Sequence, residues 1–276
     1  MWDAYNLRMK TIKTLLLTIT ALTMIATTSC ATSAHKNCNV VTKELNGVPF
    51  QELNISSFFT VKFTQSEQYK VKVTISERFE PYLISKVRNE ELVLSMDSRG
   101  RGCNFEEGDM ALVEISAPSF RDLELSGAVT MTLEGSWKLE DVSFDLSGAS
   151  RLTAETLLVE DLTIEQSGAS QINAVLSVDQ LEVENSGASQ LTLKSLNQGC
   201  GHRATIEVSG ASHVNLDKYP FKKVAVGASG ASHAKVFPMQ RLKAEASGAS
   251  SIRYVNASKE LRKELDKSGI ASISAD

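Results

Sequence analysis

Aromatic side chains are scarce in this sequence, and its positive and negative charges nearly balance. Aromatic residues make up 6% of its 276 residues, the formal net charge is -4 and the pI is near 5.7. Without a basic surface overall, nucleic acid is a poor candidate for a partner. The scarcity of aromatics argues against an enzyme groove for sugars, which stacks sugar rings on aromatic faces. A Gly-x-Ser-x-Gly nucleophile elbow is also missing, so no catalytic residue is predicted.

Against these absences stands a tripeptide that recurs through the second half of the chain. Ser-Gly-Ala occurs seven times, starting at Ser126, Ser147, Ser167, Ser186, Ser209, Ser229 and Ser247. Successive copies start 18 to 23 residues apart, and a degenerate eighth copy starts at Ser268. A period near 20 residues is typical of a solenoid.

Apolar residues flank the tripeptide at fixed offsets from its first Ser, which is numbered zero. Positions −5, −3, +5 and +7 are apolar in nearly every copy, as in Val142, Phe144, Leu152 and Ala154 around Ser147. The residues between them are mostly polar, which is the alternation of a strand with one buried face. Each repeat is therefore predicted to hold one strand before the tripeptide and one after it. Neighbouring repeats would pair in register as parallel strands about 4.8 Å apart.

The predicted fold class is all-β, a parallel β-helix with coils of about 20 residues and Ser-Gly-Ala-Ser corners. Gly tolerates a backbone conformation that is closed to other residues. Ala is small enough for the inside of a tight bend, so Ala149, Ala169 and Ala188 are predicted to point inward. The serines are expected to share hydroxyl hydrogen bonds along the axis.

The N-terminus is predicted to be a secretion signal. A basic start at Met9 is followed by the apolar stretch Thr14–Ala26, which is too short to span a membrane. The small residues before Cys30 are similar to the lipobox of bacterial lipoproteins, with Thr27 where Leu is usual, and they predict a diacylglyceryl group on Cys30. The alternative is an ordinary signal peptide in which Cys30 is incidental. Residues 1–30 are assigned to the signal, with translation starting at Met9.

The rest of the chain is predicted to form one domain behind a short linker. Residues 31–46 are assigned to a flexible tether and 47–274 to a single β-helical domain. Within that domain, residues 47–117 form irregular first coils, 118–256 form the regular repeats and 257–274 form a C-terminal cap.

Two segments outside the regular repeats are predicted to depart from the strand pattern. Phe79–Val87 is expected to be one short helix or an irregular crossing, since Pro81 stands where a first helical turn accepts it. Ser258–Lys267 is expected to be a helix with Leu261 and Leu265 on one amphipathic face.

Three cysteines remain once Cys30 carries lipid. Cys38, Cys103 and Cys200 would lie in an oxidising compartment, so at most one disulfide forms and one thiol is left over. The sequence favours no pairing among them.

Position −2 forms an outward column that is a candidate for binding cations. It is acidic in six of the seven copies, at Glu124, Asp145, Glu165, Glu184, Glu207 and Glu245, with Gly227 in the remaining one. Carboxylates stacked at the strand spacing would repel one another and recruit Ca²⁺ or another hard cation. Alternatively, they are a solvated row that is screened by salt and nearby lysines.

Position +4 holds His213 and His233 on consecutive repeats, so their imidazoles would stack. With His202 as a third ligand they would suit a transition metal. The alternative is a polar surface ladder that continues from Gln171 and Gln190. We expect this ladder, so neither a metal nor a cofactor is predicted.

These features resemble a known family. The signal with its lipobox, the alternating segment Phe50–Met96 and repeats such as Leu123–Ala128 are similar to the putative auto-transporter adhesin, head GIN domain family of Gram-negative bacteria. The resemblance covers residues 47–274. It implies a β-helical domain that is exported to the cell envelope, with no established enzymatic activity or ligand.

The combined prediction is a non-enzymatic cell-envelope lipoprotein, anchored by its lipid to the periplasmic or surface face of the outer membrane. Its β-helix would serve as an adhesion or binding module for an envelope protein or a glycan, or as a structural module. The alternative is a carbohydrate-active enzyme or glycan-binding protein on a β-helix scaffold, because a fold does not determine a function.

Overall fold

The computed structural model describes residues 24–25, 39–97, 99, 105–106, 108–257 and 259–276. Strands make up most of this part of the chain, and two short 3₁₀ helices interrupt them at Glu77–Tyr82 and Leu196–Gln198. The strands are β1 Met24–Ile25, β2 Val40–Asn46, β3 Glu52–Ile55, β4 Thr60–Gln65, β5 Lys70–Ser76, β6 Leu83–Arg88, β7 Glu91–Met96, β8 Ala111–Ala117, β9 Asp122–Leu125, β10 Thr130–Lys138, β11 Asp141–Leu146, β12 Arg151–Leu158, β13 Asp161–Gln166, β14 Gln171–Ser177, β15 Gln180–Asn185, β16 Gln190–Ser195, β17 Gly201–Val208, β18 His213–Ala228, β19 His233–Ala246, β20 Ser251–Tyr254, β21 Arg262–Lys267 and β22 Ser272–Ala275.

The strands stack into two faces of a solenoid. The front face contains the strands that follow each tripeptide, in the order β2-β5-β8-β4-β10-β12-β14-β16-β18-β19-β20-β22. The back face contains the strands that precede it, in the order β6-β7-β3-β9-β11-β13-β15-β17-β18-β19-β21. The long strands β18 and β19 give one half to each face. From β8 and β7 onward all of these neighbours are parallel, so the predicted parallel β-helix is confirmed.

The core lies between the two faces and is built in columns. Asp145 is opposite Glu124 on one side and Glu165 on the other, which confirms that coils align at the tripeptide offsets. The residues predicted to point inward at −5, −3, +5 and +7 are all buried. Positions −1 and +3 join them, and they contribute Leu125, Leu146, Gln166, Asn185, Val208, Ala228 and Ala246, and Val129, Ser150, Ser170, Ser189, Ser212, Ser232 and Ser250.

The backbone ladder runs through the Ser-Gly-Ala corner without a break. The N–H of Ala149 donates to the carbonyl oxygen of Gly127 in the preceding coil at 2.7 Å, and the N–H of Ala169 donates to that of Gly148 at 2.7 Å. The same bond recurs in every later coil up to Ile270. The corner therefore pairs with its neighbours as a strand does, although its backbone is turning.

Glycine is required at +1 for two separate reasons. Gly168 has a φ of +67°, in the left-handed region that residues with a side chain avoid. A Cβ at Gly168 would also lie 2.6 Å from the carbonyl oxygen of Gly148 in the preceding coil. The corner glycines thus form a column along the axis in which no side chain fits.

Position +2 faces solvent, so the prediction that Ala149, Ala169 and Ala188 point inward is wrong. The left-handed glycine turns the chain so that +1 and +2 are both exposed and +3 enters the core. The buried serine at +3 fills the bend, as where the Ser250 hydroxyl donates to the Ser247 carbonyl at 2.8 Å. These hydroxyls bond mainly to corner carbonyls and only in one case to each other along the axis.

Differences in coil length are taken up on the side away from this corner. Offsets from −6 to +6 stay in register between regular coils, whereas the register shifts all lie beyond +6, between Leu133 and Ser136, Ala154 and Leu157, Thr192 and Lys194, Asn215 and Pro220, and Phe221 and Lys223. Bulges of this kind absorb extra residues without disturbing the rest of a ladder.

The N-terminal coils close the end of the solenoid with antiparallel strands. On the front face β2, β5 and β8 are antiparallel neighbours, and on the back face β6 and β7 form a hairpin. The segment Phe79–Val87 begins in the 3₁₀ helix that buries Phe79 and continues into β6. The prediction of a short helix or crossing therefore holds for its first half and is wrong for its second.

The predicted helix over Ser258–Lys267 is wrong, because Arg262–Lys267 is strand β21. Its six residues pair in register with Arg241–Ala246 of β19. Leu261 is buried, but Leu265 is 45% exposed, so the two do not form a shared apolar stripe. The unpaired backbone groups of β19 need partners, and satisfying them outweighs a weak helical propensity. The segment is a further coil rather than a helical cap.

The corner geometry predicts opposite tolerances at neighbouring positions. Gly168→Ala should lower the free energy of unfolding by about 1 to 3 kcal/mol, because it strains the backbone and meets the preceding coil. Ala169→Leu is the matched control and should change it by less than about 0.5 kcal/mol, since the side chain enters solvent. Urea unfolding of both variants measures the difference. A larger loss for Ala169→Leu than for Gly168→Ala would contradict this corner.

Candidate functional site

The acidic column at −2 is one row on the back face, in which Gly227 separates Glu207 from Glu245. Glu165 is opposite Asp145 and Glu184, and Glu184 is opposite Glu207. Asp266 of β21 lies opposite Glu245 and extends the row by one coil. The structure therefore brings together every carboxylate that was predicted to share this column.

A shallow groove separates this column from the corner serines. Its deepest part has a volume of about 350 Å³ and is lined by Asp145, Glu165, Glu184 and Glu207 on one side and by serines such as Ser186 on the other. A second depression of about 220 Å³ continues past Glu207 toward Asp266. The groove is open to solvent and lined mostly by polar residues, so it suits an extended polar partner better than an enclosed small molecule.

Two carboxylates of the column are perturbed. Partial burial, followed by the charge of Asp145, raises the pKa of Glu124. Partial burial also raises the pKa of Glu207, with smaller contributions from Glu245 and Glu184, while Lys243 opposes the shift. Lys243 itself forms an ion pair with Glu245 at 2.7 Å. Within the described part of the chain, a lysine thus neutralises Glu245, while the other carboxylates of the row form no ion pair.

The break at Gly227 is filled by the carboxylate of Glu207. A Cβ on Gly227 would overlap that carboxylate, so the missing side chain lets Glu207 lie across the next coil. This brings Glu207 within electrostatic reach of Glu245, two coils away. The Glu207 carboxylate therefore carries the negative charge of the column across the coil that has no carboxylate of its own.

The predicted histidine stack is present on the front face. The rings of His213 and His233 are 4.9 Å apart between centroids and 3° from parallel. A metal binds an imidazole nitrogen along a lone pair that lies in the plane of the ring, and the planes of two parallel stacked rings do not meet, so the two lone pairs do not converge on one ion. His202 lies on β17, and the described residues contain no group of three His, Cys, Asp or Glu side chains that could hold a metal. Gln171, Gln190, His213 and His233 are opposite one another in turn, so the two histidines continue an outward polar column.

The lipidation candidate Cys30 and the cysteines Cys38 and Cys103 lie outside the described residues. Cys200 is exposed and forms no disulfide with a described residue, and partial burial of its sulfur raises the pKa of the thiol. The two-residue strand β1 lies within the segment assigned to the signal and pairs antiparallel with β2. No helix in the described part of the chain is both long and apolar enough to cross a membrane.

The geometry on both faces is that of a repeat scaffold, and the sequence matches one family of such scaffolds. The model of the family described as putative auto-transporter adhesin, head GIN domain, matches residues 49–258. The chain belongs to this family. The description of this family associates the chain with an adhesin-like role at the cell envelope.

Three crystal structures share the fold of this head GIN domain. A putative adhesin from Parabacteroides distasonis is 16% identical, with a TM-score of 0.74 over 87% of this chain and 98% of that chain. One from Parabacteroides merdae is also 16% identical, with a TM-score of 0.74 over 87% and 97%. A putative lipid binding protein from P. distasonis is 18% identical, with a TM-score of 0.75 over 87% and 98%. At these identities the likeness shows the fold alone, and no curated protein matches the sequence.

The contact of Glu207 with its neighbours predicts a pH-dependent effect on stability. Because its folded pKa is raised, the folded state holds the proton more tightly, so stability is present in acid and is lost as the pH rises from the ordinary value of 4.5 through the raised one. Glu207→Gln should raise the free energy of unfolding at pH 7 by about 0.2 to 1 kcal/mol, the scale of like charges on adjacent strands.

The gain from Glu207→Gln should shrink at pH 4, below the ordinary carboxyl pKa of 4.5, because protonation of the wild-type carboxylate removes its charge. Glu67→Gln removes an exposed carboxylate outside the column and is the matched control. Thermal unfolding at the two pH values measures both variants. A loss of stability in Glu207→Gln at pH 7 would show that the carboxylate has a stabilising partner instead.

The stacked histidines predict no response to metal. Micromolar Zn²⁺ should leave the melting temperature unchanged, because two imidazoles whose lone pairs do not converge bind Zn²⁺ too weakly to stabilise the folded chain. His213→Gln combined with His233→Gln should also leave it unchanged, since Gln171 and Gln190 already occupy the same column. A Zn²⁺-dependent rise that the double variant abolishes would show a metal site.

Proposed function

We propose that this head GIN domain is the binding module of a non-enzymatic cell-envelope lipoprotein. The observation that carries the proposal is the regular spacing of like side chains on the outward faces. Because strands are in register, each outward position is repeated about every 4.8 Å along the axis. Such rows are complementary to an extended partner with repeated groups, which is the form of a glycan chain or of an extended stretch of an envelope protein.

The corner serines support a role without catalysis. A serine nucleophile needs an adjacent base and an exposed hydroxyl. The +3 serines are instead buried, and Ser150, Ser189, Ser232 and Ser250 donate to backbone carbonyls of their own corners. Their number reflects the repeat rather than one active centre.

The alternative of a carbohydrate-active enzyme would use the carboxylates of the acidic column. Glycoside hydrolysis needs two carboxylates on either side of the scissile bond. Here Glu184 and Glu207 are side by side on adjacent strands of one flat face, within the same lining of the groove. A binding surface is therefore favoured. Glycan cleavage that Glu207→Gln abolishes would support the enzyme instead.

One structural neighbour is named a lipid binding protein, which raises lipid as a partner. The depressions along the acidic column are lined by carboxylates and serines, with Val208, Ala228 and Ala246 as their only apolar members. A surface of this kind does not suit an acyl chain. A glycan or an envelope protein is therefore favoured over a lipid.

The binding role is tested by a screen of glycans and envelope proteins against residues 31–276, which contain strands β2 to β22. We expect saturable binding by the folded chain, and we expect that binding to be lost when the solenoid is unfolded. A folded chain that binds nothing in either panel would leave only the structural role.

The proposal includes attachment of the protein to the membrane, and it predicts a lipid on Cys30. Cys30→Ser should abolish metabolic labelling with a palmitate analogue and release the protein from the membrane fraction, because the anchor is lost. Cys200→Ser removes an exposed cysteine and is the matched control, with labelling unchanged. Membrane attachment that persists in Cys30→Ser would contradict a lipid anchor at this residue.

A further inference from the structure

The second corner of the solenoid, which joins the front face to the back face, reverses its charge along the axis. In the three coils that contain Ser147, Ser167 and Ser186 it carries exposed acids, the acidic ridge, at Glu140, Asp141, Glu160, Asp161 and Asp179. In the next four coils the same corner carries exposed cations at position −6, the basic ladder, at Arg203, Lys223, Arg241 and Arg262. The overall charge of -4 hides this division.

The basic ladder is continuous because pairing is in register. Arg203 is opposite Lys223, Lys223 is opposite Arg241, and Arg241 is opposite Arg262. Neighbouring cations are therefore one strand spacing apart, about 4.8 Å. Lys222 adds a further exposed cation beside Lys223.

The ladder cations have no carboxylate partner among the residues that the structure describes. Within the described part of the chain, none of the four side chains makes an ion pair or a side-chain hydrogen bond. Some cations elsewhere on the surface are paired, as Lys72 is with Glu114 at 2.9 Å. Like charges directly opposite each other on adjacent strands are destabilising, so the ladder costs stability in the free protein.

A depression lies beside the ladder where it is most regular. It has a volume of about 480 Å³ and is lined by Lys223, Arg241 and Arg262 together with Met239, Gln240 and Glu260. Guanidinium groups bind carboxylate and sulfate in a bidentate way, and the amide of Gln240 offers a donor and an acceptor for hydroxyls. Glu260 disfavours an anion at one point of the rim and would select where the charges of a ligand fall.

We propose that the basic ladder binds an anionic polysaccharide, laid along the solenoid axis with its acidic groups against Arg203, Lys223, Arg241 and Arg262. This rests on the proposed binding role and names the class of its ligand. Neutralisation of the polyanion by four closely spaced cations releases the counterions condensed on it, and this supplies a driving force that depends on salt. The acidic ridge repels the same ligand, so the bound segment ends between Gln180 and Arg203.

A nucleic acid is the less suitable polyanion. Proteins that bind single strands stack the bases on exposed aromatic side chains. In the described coils, positions −6, −4 and −2 beside the ladder hold no aromatic residue from Arg203 onward. The ladder therefore offers charge and hydrogen bonds but no stacking surface.

The test uses polygalacturonate as the probe and the full chain purified in detergent, in a buffer with chelator so that calcium does not bridge the ligand to the acidic column. Wild type should bind with an affinity that falls steeply with salt. The combined variant Arg203→Gln, Lys223→Gln and Arg241→Gln should weaken binding by about tenfold or more and reduce the salt dependence. Its melting temperature should not fall, because like-charge repulsion is relieved.

The matched control removes the same charge elsewhere. Lys70→Gln, Lys86→Gln and Lys194→Gln are exposed positions outside the ladder and should leave binding within about twofold of wild type. Equal losses in the two triple variants would overturn the site, since the effect would follow net charge alone. Binding of single-stranded DNA as tight as that of polygalacturonate would overturn the ligand class.

Two further outcomes separate this inference from the binding role itself. A wild-type dimer at low salt that the ladder variant abolishes, with no binding of polygalacturonate, would show that the ladder meets the acidic ridge of a second copy, and would overturn the proposal. Binding of a neutral glycan or an envelope protein that the ladder variant retains would also overturn it, while the proposed binding role would stand.

Discussion

The backbone hydrogen bonds that pass through the Ser-Gly-Ala corner are the constraint on which the rest of this structure depends. In most β-structures the hydrogen bonds between neighbouring strands stop where the chain turns. Here the N–H at +2 donates to the carbonyl at +1 of the preceding coil, at 2.7 to 2.8 Å from Ala149 to Ala249. This pairing requires a left-handed residue without a Cβ, because a side chain at Gly168 would meet the backbone of Gly148. The glycine at +1 is therefore the position of the coil that tolerates least change.

The surface follows from that constraint. Because offsets from −6 to +6 are held in register, any residue type chosen at one offset becomes a row along the axis, and extra residues are pushed to the opposite side of the coil. The acidic column, the histidine stack and the basic ladder all arise in this way. Function is thereby separated from fold, since outward side chains change without affecting the ladder. Specificity of binding then depends on which charges recur and over how many coils.

The sequence predicts the solenoid well because alternation and a fixed period are both local signals. Residues such as Phe144 and Leu152 are recognised as core from their spacing alone. The signal fails at the corner itself, where the left-handed glycine breaks the period of two and places Ala169 outside and Ser170 inside.

Buried polar residues are the other failure of sequence reasoning. Gln166 and Asn185 occupy the inward position −1 on adjacent coils and read as surface residues in the sequence. Their amides bond to Ser170 and Ser189 inside the corner, which only the folded coil brings near. The strand β21 was missed for a related reason, because its pairing depends on β19 and not on its own pattern.

The charge reversal at the second corner is present in the sequence at position −6, which is one residue before the alternating positions that predict the strand. Only the register of the back face shows that Arg203, Lys223 and Arg241 are neighbours. The candidate surfaces could thus be found from composition at each offset, whereas their grouping needed the structure. The ligand is less predictable still, because nothing in the pairing of the coils depends on it.

Amide hydrogen exchange at the corner alanines tests the central claim most directly. The side chains of Ala149, Ala169 and Ala188 are exposed, so a loop-like corner would exchange these amides at the rate of an unstructured peptide. The continuous ladder predicts instead that they exchange as slowly as strand amides such as that of Ile164. Slow exchange at all three positions is the expected result, and fast exchange at the corner beside protected strands would contradict the account.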